Sequence, residues 1–308
     1  MGLFNRPSLT RLLRVRIIIL ILTGSVVLCV VSKLKPEFQS TETSKEPMKN
    51  QTLEYFIKQG RLEVNDAADI QWVHAANSKR KITEAIQSSA HMIEADILLR
   101  GHEPKEPIMA HPPENDSDIS LRDWLKHVQA SDKGIKLDFK SLQAVAPSMA
   151  LLDDFRSELR GPVWINADIL PGPGGKAMPL DPKEFVKAVV TPVSHGDILS
   201  LGWTTGWAAD TENPGYSWEM VRDMEALCQP LRQSVTFPVR AALMAKSFPQ
   251  LQWLIQQSDR YSLTVWTGQT DVFALEDLLP YRKEMNKTRI YYDLLDSQRT
   301  EFRALPGY

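Results

Sequence analysis

The chain has 308 residues, 43% hydrophobic and 24% charged, which is the composition of a folded protein with a sizeable core and not of a disordered or low-complexity chain. A formal net charge of -2 gives no global electrostatic reason to bind nucleic acid. Whatever the protein binds, it binds at a local site.

Residues 1–16 are basic, with Arg6, Arg11, Arg14 and Arg16, and an uncharged run from Ile17 to Val31 follows before Lys33 and Lys35. Such a segment targets the secretory pathway. The run is a little shorter than the roughly 17 to 25 residues of a spanning helix and long for the about 7 to 15 of a signal-peptide core. A transmembrane signal anchor over residues 17–32 is therefore expected, with a signal peptide as the alternative. More basic charge before the run than after it leaves the N-terminus cytosolic. The expected product is a type II single-pass membrane protein with its C-terminal domain lumenal or extracellular, or a secreted one if the segment is cut.

Residues 33–60, with Pro36, Pro47 and many Ser, Thr, Glu and Lys, predict a stalk ahead of a folded domain over residues 61–308. The triplets beginning at Asn50, Asn115 and Asn286 are N-glycosylation sequons, in keeping with that placement. Cys29 lies in the apolar run and Cys228 is the other cysteine, so a core and not an intradomain disulfide must hold the domain. Cys228 is expected to be a buried small hydrophobe.

Beyond residue 60, short β-rich segments alternate with amphipathic helical ones, the pattern of repeated βα units. Strands are expected at residues 70–74, 92–98, 134–139, 163–169, 198–202, 235–240, 262–266 and 289–293, with an accessory strand at 108–111. Intervening helices are expected at 79–90, 120–129 (opened by Ser120 and Asp123), 142–160 and 249–257. Eight parallel strands in this length predict a single (β/α)₈ TIM barrel, which reacts at the C-terminal ends of its strands. No glycine-rich dinucleotide turn follows the first strand, which argues against an open doubly wound sheet.

Strand parity locates the chemistry. In Ile93 to Ile97 and in Ile135 to Lys140 apolar and charged residues alternate, so Glu94, Asp96, Lys136, Asp138 and Lys140 share the face opposite the helices. The same rule adds Asn166 and Asp168 from the next strand. Charges buried together in a lumen cost about several kcal/mol per ion unless paired, so they neutralise one another or hold a cation. Three acids from two strands make a hard oxygen site suited to Mg²⁺ or Ca²⁺. His74 and His111 flank them at strand ends, where imidazoles can serve as general base or nucleophile and as general acid. Lys140 is placed to hold a phosphate oxygen.

Further expectations are weaker. Trp203, Trp207 and Trp266 lie at or just past strand ends and are candidates for the pocket mouth, with core packing as the alternative. Arg240 has lumen parity and is a second anion-contact candidate, or a salt-bridge partner. The stretch from Pro171 to Lys176 lacks the spacing of a phosphate-binding loop and reads as a mobile connection. His91, His102, His127 and His195 have no constellation around them.

The succession His74-Ala75-Ala76-Asn77, Glu94-Ala95-Asp96, His111 and Asp138-Phe139-Lys140 resembles the phospholipase-C-like phosphodiesterases, which include the glycerophosphodiester phosphodiesterases and the spider-venom sphingomyelinase D toxins. More closely, residues 53–295 resemble the menorin family through VHAANS, IEADI, KLDFK, VWINADIL and LSLGWTT. The resemblance implies a TIM barrel that cleaves phosphodiesters, often lipid-linked. It implies a catalytic pair at His74 and His111, one Mg²⁺ or Ca²⁺ on Glu94, Asp96 and Asp138, and a phosphate contact at Lys140. Asn77, Lys136, Asn166, Arg240 and Trp266 complete the expected substrate-binding set. The chain departs from the glycerophosphodiesterase pattern at Ala75, where arginine is usual, at Pro112 after the second histidine, and at Asp138, where glutamate is preferred. Those departures, with the cell-recognition roles of menorins, support an alternative expectation: an inactive extracellular barrel with protein partners.

Overall fold

The computed structural model describes residues 50–192 and 196–308. The basic segment, the expected anchor, most of the expected stalk and His195 lie outside them. Among the described residues no helix is long and apolar enough to cross a membrane.

Nine strands form one sheet: β1 (Trp72–Val73), β2 (Met92–Leu99), β3 (Pro107–Met109), β4 (Gly134–Phe139), β5 (Val163–Pro171), β6 (Ile198–Thr204), β7 (Ser234–Arg240), β8 (Tyr261–Trp266) and β9 (Ile290–Asp293). Eight run parallel in the order β1-β2-β4-β5-β6-β7-β8-β9, and β3 pairs antiparallel with β2 as the accessory strand. Helices lie between successive strands, and serine or aspartate caps open many of them. Ser78 caps α2 (Lys79–Gln87), Ser120 α3 (Leu121–Val128), Ser141 α4 (Leu142–Phe155), Asp181 α5 (Pro182–Val190) and Ser217 α6 (Trp218–Cys228), each side chain accepting from a first-turn N–H. Later come α7 (Phe248–Gln256), α8 (Leu279–Glu284) and α9 (Asp296–Ala304). This is the expected TIM-barrel fold, nearly closed.

The parity holds residue by residue. Ile93, Ala95, Ile97, Ile135, Leu137 and Phe139 are buried in the main core, which also takes Trp124, Leu152 and Phe185 from the helices. Their neighbours face inward, with Glu94 beside Lys136 and Asp96 beside Asp138 in register. Cys228 is buried as expected, and burial pushes its thiol up to about 12.

Inside, the barrel is graded from apolar to charged. At the N-terminal end of the strands, Trp72 packs edge-on against Trp164 and Trp164 against Tyr291, at 5.2 and 4.9 Å between ring centroids. These rings come from β1, β5 and β9, which only a sheet curved back on itself can bring together. Thr236 and Thr264 share a hydrogen bond of 2.7 Å deeper in the sheet's interior. The charged residues gather where β1, β2, β4, β5 and β9 end.

The apolar end carries a helix that composition did not reveal. Residues within the expected stalk form α1 (Gln51–Lys58), with Leu53 and Phe56 fully buried against Met92, Trp164, Ile198 and Tyr291. The folded unit therefore begins before residue 61. Asn50 caps α1. Its Oδ1 accepts from Leu53 N at 3.2 Å and from the Tyr291 hydroxyl at 2.7 Å, while its Nδ2 donates to the Thr288 carbonyl at 2.6 Å. Asn115 and Asn286 are exposed.

Candidate active site

The end of β1 delivers His74 and then turns sharply: Ala75 has a φ of 53°, a left-handed conformation that costs about 1 kcal/mol or more for a residue with a Cβ. The turn directs the Ala75 N–H onto Glu94 Oε2 at 2.7 Å, and the Ala75 carbonyl accepts from Lys81 Nζ at 3.0 Å. Asn77 follows, donating from Nδ2 to Asp96 Oδ2 at 2.7 Å and accepting from the Asp96 N–H at 2.9 Å. Just past β4, Lys140 Nζ donates to Asp138 Oδ2 at 2.7 Å and pairs with Asp96 Oδ1 at 3.2 Å.

Glu94 and Asp138 are thus each held by one oxygen, and Asp96 by both. Glu94, Asp96 and Asp138 are buried, and one oxygen from each can be chosen so that all lie within 4.8 Å of one another. Among the described residues, Glu94 Oε1 and Asp138 Oδ1 are buried without a hydrogen-bond partner. Unpaired carboxylate oxygens converging in a dry interior are what a hard divalent cation requires, with outer hydrogen bonds fixing their aim. The donor set therefore fits Mg²⁺ or Ca²⁺. It does not distinguish them.

Charge here is strongly biased by position. Burial, and then Asp96, raise the Glu94 carboxyl, against the lowering pull of His74. Burial also raises Asp138, but Lys140 and Lys136 override it and hold it at about 2. Burial lowers the Lys140 ammonium, yet Asp138, Asp96 and Asp168 leave it raised overall. His74 Nδ1 lies 3.1 Å from Asp293 Oδ2 and 3.5 Å from Glu94 Oε2, and Glu94 first, opposed by burial, then Asp293, raise it to about 9.

A cavity of about 510 Å³ opens over this cluster, lined by His74, His111, Lys136, Lys140, Asp168 and Trp266 among others. His111 is exposed at its mouth, donating from Nδ1 to the Pro112 carbonyl at 2.7 Å, which leaves Nε2 available. Both expected histidines, Lys140 and the three acids thus share one site.

The expected substrate contacts divide differently. Asn77 lines the cavity, but both ends of its carboxamide are engaged with Asp96, so it positions a ligand carboxylate. Asn166 is buried beside Asp138 in register, and its Oδ1 accepts from Ser200 Oγ at 2.5 Å. Arg240 is not in the cavity wall: its Nε and Nη2 bind buried Asp271 at 2.6 and 2.5 Å, with the guanidinium 5.2 Å from the Trp266 ring centre. The salt-bridge alternative is the correct one. Trp203 is core, packed on Tyr216 and Phe237. Trp207 borders an adjoining cavity of about 400 Å³. The glycine-rich connection is pinned and not mobile, since Gly174 bridges to Thr205 and Gly206 N donates to the Pro173 carbonyl at 3.0 Å. A Cβ on Gly206 would stand 2.0 Å from the Gly174 oxygen. His91 is structural, accepting from Gln71 N at 3.0 Å.

One acid was missing from the expected set, and another, Asp168, was expected on the inward face without a role. Asp293, at the end of β9, is the partner of His74. Among the described residues the Asp168 side chain has no hydrogen bond; it lines the cavity, and burial followed by the Asp138 charge pushes it up to about 7 from 3.8. A carboxyl raised on folding keeps a proton that the unfolded chain has already lost, so its contribution to stability falls as pH rises from 3.8 toward about 7. Asp168→Asn is expected to flatten that part of the profile in metal-free protein. Thermal melts between about pH 4 and pH 8 would show it; identical slopes in both proteins would refute it.

The family of the Menorin N-terminal domain matches residues 66–299. The human relative Protein FAM151B (Homo sapiens) is 52% identical over 258 residues, covering 83% of this chain and 93% of its own. Among solved structures, the chain is similar to a glycerophosphoryl diester phosphodiesterase from Parabacteroides distasonis, at 11% identity and a TM-score of 0.46 over 84% of this chain and 94% of that one. It is also similar to a GH18 chitinase from Pseudoalteromonas aurantia, at 10% identity and a TM-score of 0.42 over 76% and 99%. Likenesses of that size say nothing of chemistry.

Proposed function

The chain belongs to the menorin family, and on that premise we propose that its barrel houses a metal-dependent phosphodiesterase-type site. The observation that carries this is the pair of unpartnered buried oxygens, Glu94 Oε1 and Asp138 Oδ1, in an acid triad overlooked by two imidazoles. Mg²⁺ or Ca²⁺ held by Glu94, Asp96 and Asp138 would supply positive charge to the non-bridging oxygens of a phosphodiester.

The chain's own groups do the rest. Asp293 accepts a hydrogen bond from His74 Nδ1–H and the Pro112 carbonyl one from His111 Nδ1–H, so both rings offer Nε2 to the cavity. One imidazole accepts a proton from the attacking hydroxyl and the other returns one to the leaving oxygen. Lys140, held by Asp138 and Asp96, contacts the phosphoryl group and offsets its developing charge. The finer reading is a lipid-linked phosphodiester, reached by a domain that residues 17–32 anchor on the lumenal or extracellular side. Glycosidase treatment checks that placement, because a mass lowered by the enzyme would put Asn115 or Asn286 on the lumenal or extracellular side.

Turnover is tested with Mg²⁺ or Ca²⁺ and a panel of glycerophosphodiesters and lysophospholipids, following release of phosphomonoester or cyclic phosphate. His74→Ala and His111→Ala are each expected to lower the rate by about 10²-fold or more without altering the fold. Wild-type protein that binds a divalent cation yet cleaves nothing, with both histidine variants retaining biological function, would favour the binding-partner alternative.

A further inference from the structure

Lys136 is a buried ammonium that the triad does not explain. It is 4% exposed on the inward face of β4, yet its side chain makes no hydrogen bond or ion pair among the described residues. Its register neighbour on β2 is Glu94, and Asp138 follows two residues later on the same face, but neither carboxylate closes on it. Lys140, by contrast, pairs with two acids. Lysine is rarely this buried unless paired, and the through-space attraction of Glu94 and Asp138 leaves its N–H donors unfilled.

Lys136 instead lines the cavity. The Trp72 ring centre lies 6.0 Å from Nζ, at the outer limit of a cation–π contact and too weak to satisfy three N–H donors. The donors therefore await an acceptor from the cavity.

We infer that Lys136 is a second anion-binding ammonium of this site, contacting an oxygen of a phosphate-ester ligand in addition to the contact made by Lys140. This rests on the phosphodiesterase reading above and narrows its ligand to one with two accessible anionic oxygens on the same group. A ligand of that kind completes the donors of Lys136 without disturbing the acid triad. Lys136 is thus a specificity element for phosphate esters over neutral ligands of similar size.

The test uses the full chain and two probes, MgCl₂ and inorganic phosphate, each titrated calorimetrically into wild type, Lys136→Met and Lys136→Arg. Lys136→Met is expected to bind phosphate about tenfold or more weakly while its Mg²⁺ affinity is kept or rises, since a positive charge near Glu94 and Asp138 is removed, and Lys136→Arg is expected to recover most of the phosphate affinity. Equal phosphate affinity in folded wild type and Lys136→Met, or no phosphate binding by wild type, overturns the inference. Repeating the phosphate titration without MgCl₂ separates the two claims, since loss of Mg²⁺ binding by wild type defeats the metal reading while the lysine comparison stays readable. Should Lys136→Met not fold, reductive ¹³C-methylation of wild-type lysines gives the same answer by NMR: the Lys136 resonance moves on adding phosphate, and a stationary one overturns the inference.

Discussion

Glu94→Gln and Asp138→Ala will each lose divalent-cation binding, by about 100-fold or more in affinity, and with it any turnover. Each removes one of the two unpartnered oxygens that face the triad. Two factors of ten correspond to about 2.7 kcal/mol, well within the effect of deleting one charged ligand from a three-acid set. The stability of the metal-free protein should move the other way for Glu94→Gln. Burial and Asp96 already raise the Glu94 carboxyl, so its charged form is disfavoured by its surroundings. A neutral amide of the same size keeps the oxygen that accepts from Ala75 N and relieves that strain.

Metal-free Glu94→Gln is accordingly expected to melt at or above wild type, while the rise in melting temperature that Mg²⁺ or Ca²⁺ gives wild type disappears. Asp138→Ala loses the same rise, but it strips Lys140 of its 2.7 Å partner and lowers the metal-free melting temperature. Differential scanning calorimetry with and without the cation reads both signs. A full cation-induced rise in both variants would show that the triad is a set of structural charges.

How much of this was legible in the sequence depends on whether the signal was local. Ile93 to Ile97 and Ile135 to Lys140 carry their parity within a few residues, so the inward acids and Lys140 could be identified before any coordinate was known. His74 and His111 sat at strand ends for the same reason. Asp293 could not be paired with His74 from the chain alone, because 219 residues separate them and Ile290 to Asp293 reads as an apolar strand with a polar last residue. Parity also shows that a side chain faces the lumen without showing what it meets there. Asn77 and Asn166 point inward as expected and are taken up by protein groups, and Arg240 is captured by Asp271 from a loop that has no periodicity to read.

The stalk boundary failed for a related reason. Residues 33–60 average to a polar, proline-containing composition, and an eight-residue helix is too short to shift that average. The local cues were Asn50 as an N-cap and apolar residues three apart at Leu53 and Phe56. They become decisive only when the barrel supplies something for that face to cover.

Removing this helix will therefore cost more stability than any single change at the site. Leu53 and Phe56 are fully buried against the floor formed by Met92, Trp164, Ile198 and Tyr291. Polar contacts cross the same boundary: Trp164 Nε1 donates to Thr52 Oγ1 at 3.0 Å, and the Tyr291 hydroxyl donates to Asn50 Oδ1 at 2.7 Å. Phe56→Ala alone is expected to lower unfolding free energy by about 3 to 5 kcal/mol, a large part of the about 5 to 15 kcal/mol that a typical domain has. A chain beginning at residue 61 also leaves Trp164 and Tyr291 open to water and their buried polar atoms without partners, and it should fail to fold or remain partly unfolded without denaturant. Urea unfolding followed by tryptophan fluorescence measures both, since Trp164 reports from the floor itself. An unchanged urea midpoint in the truncated chain would mean that α1 lies on the barrel without closing it, and the folded domain would then begin where composition alone had placed it.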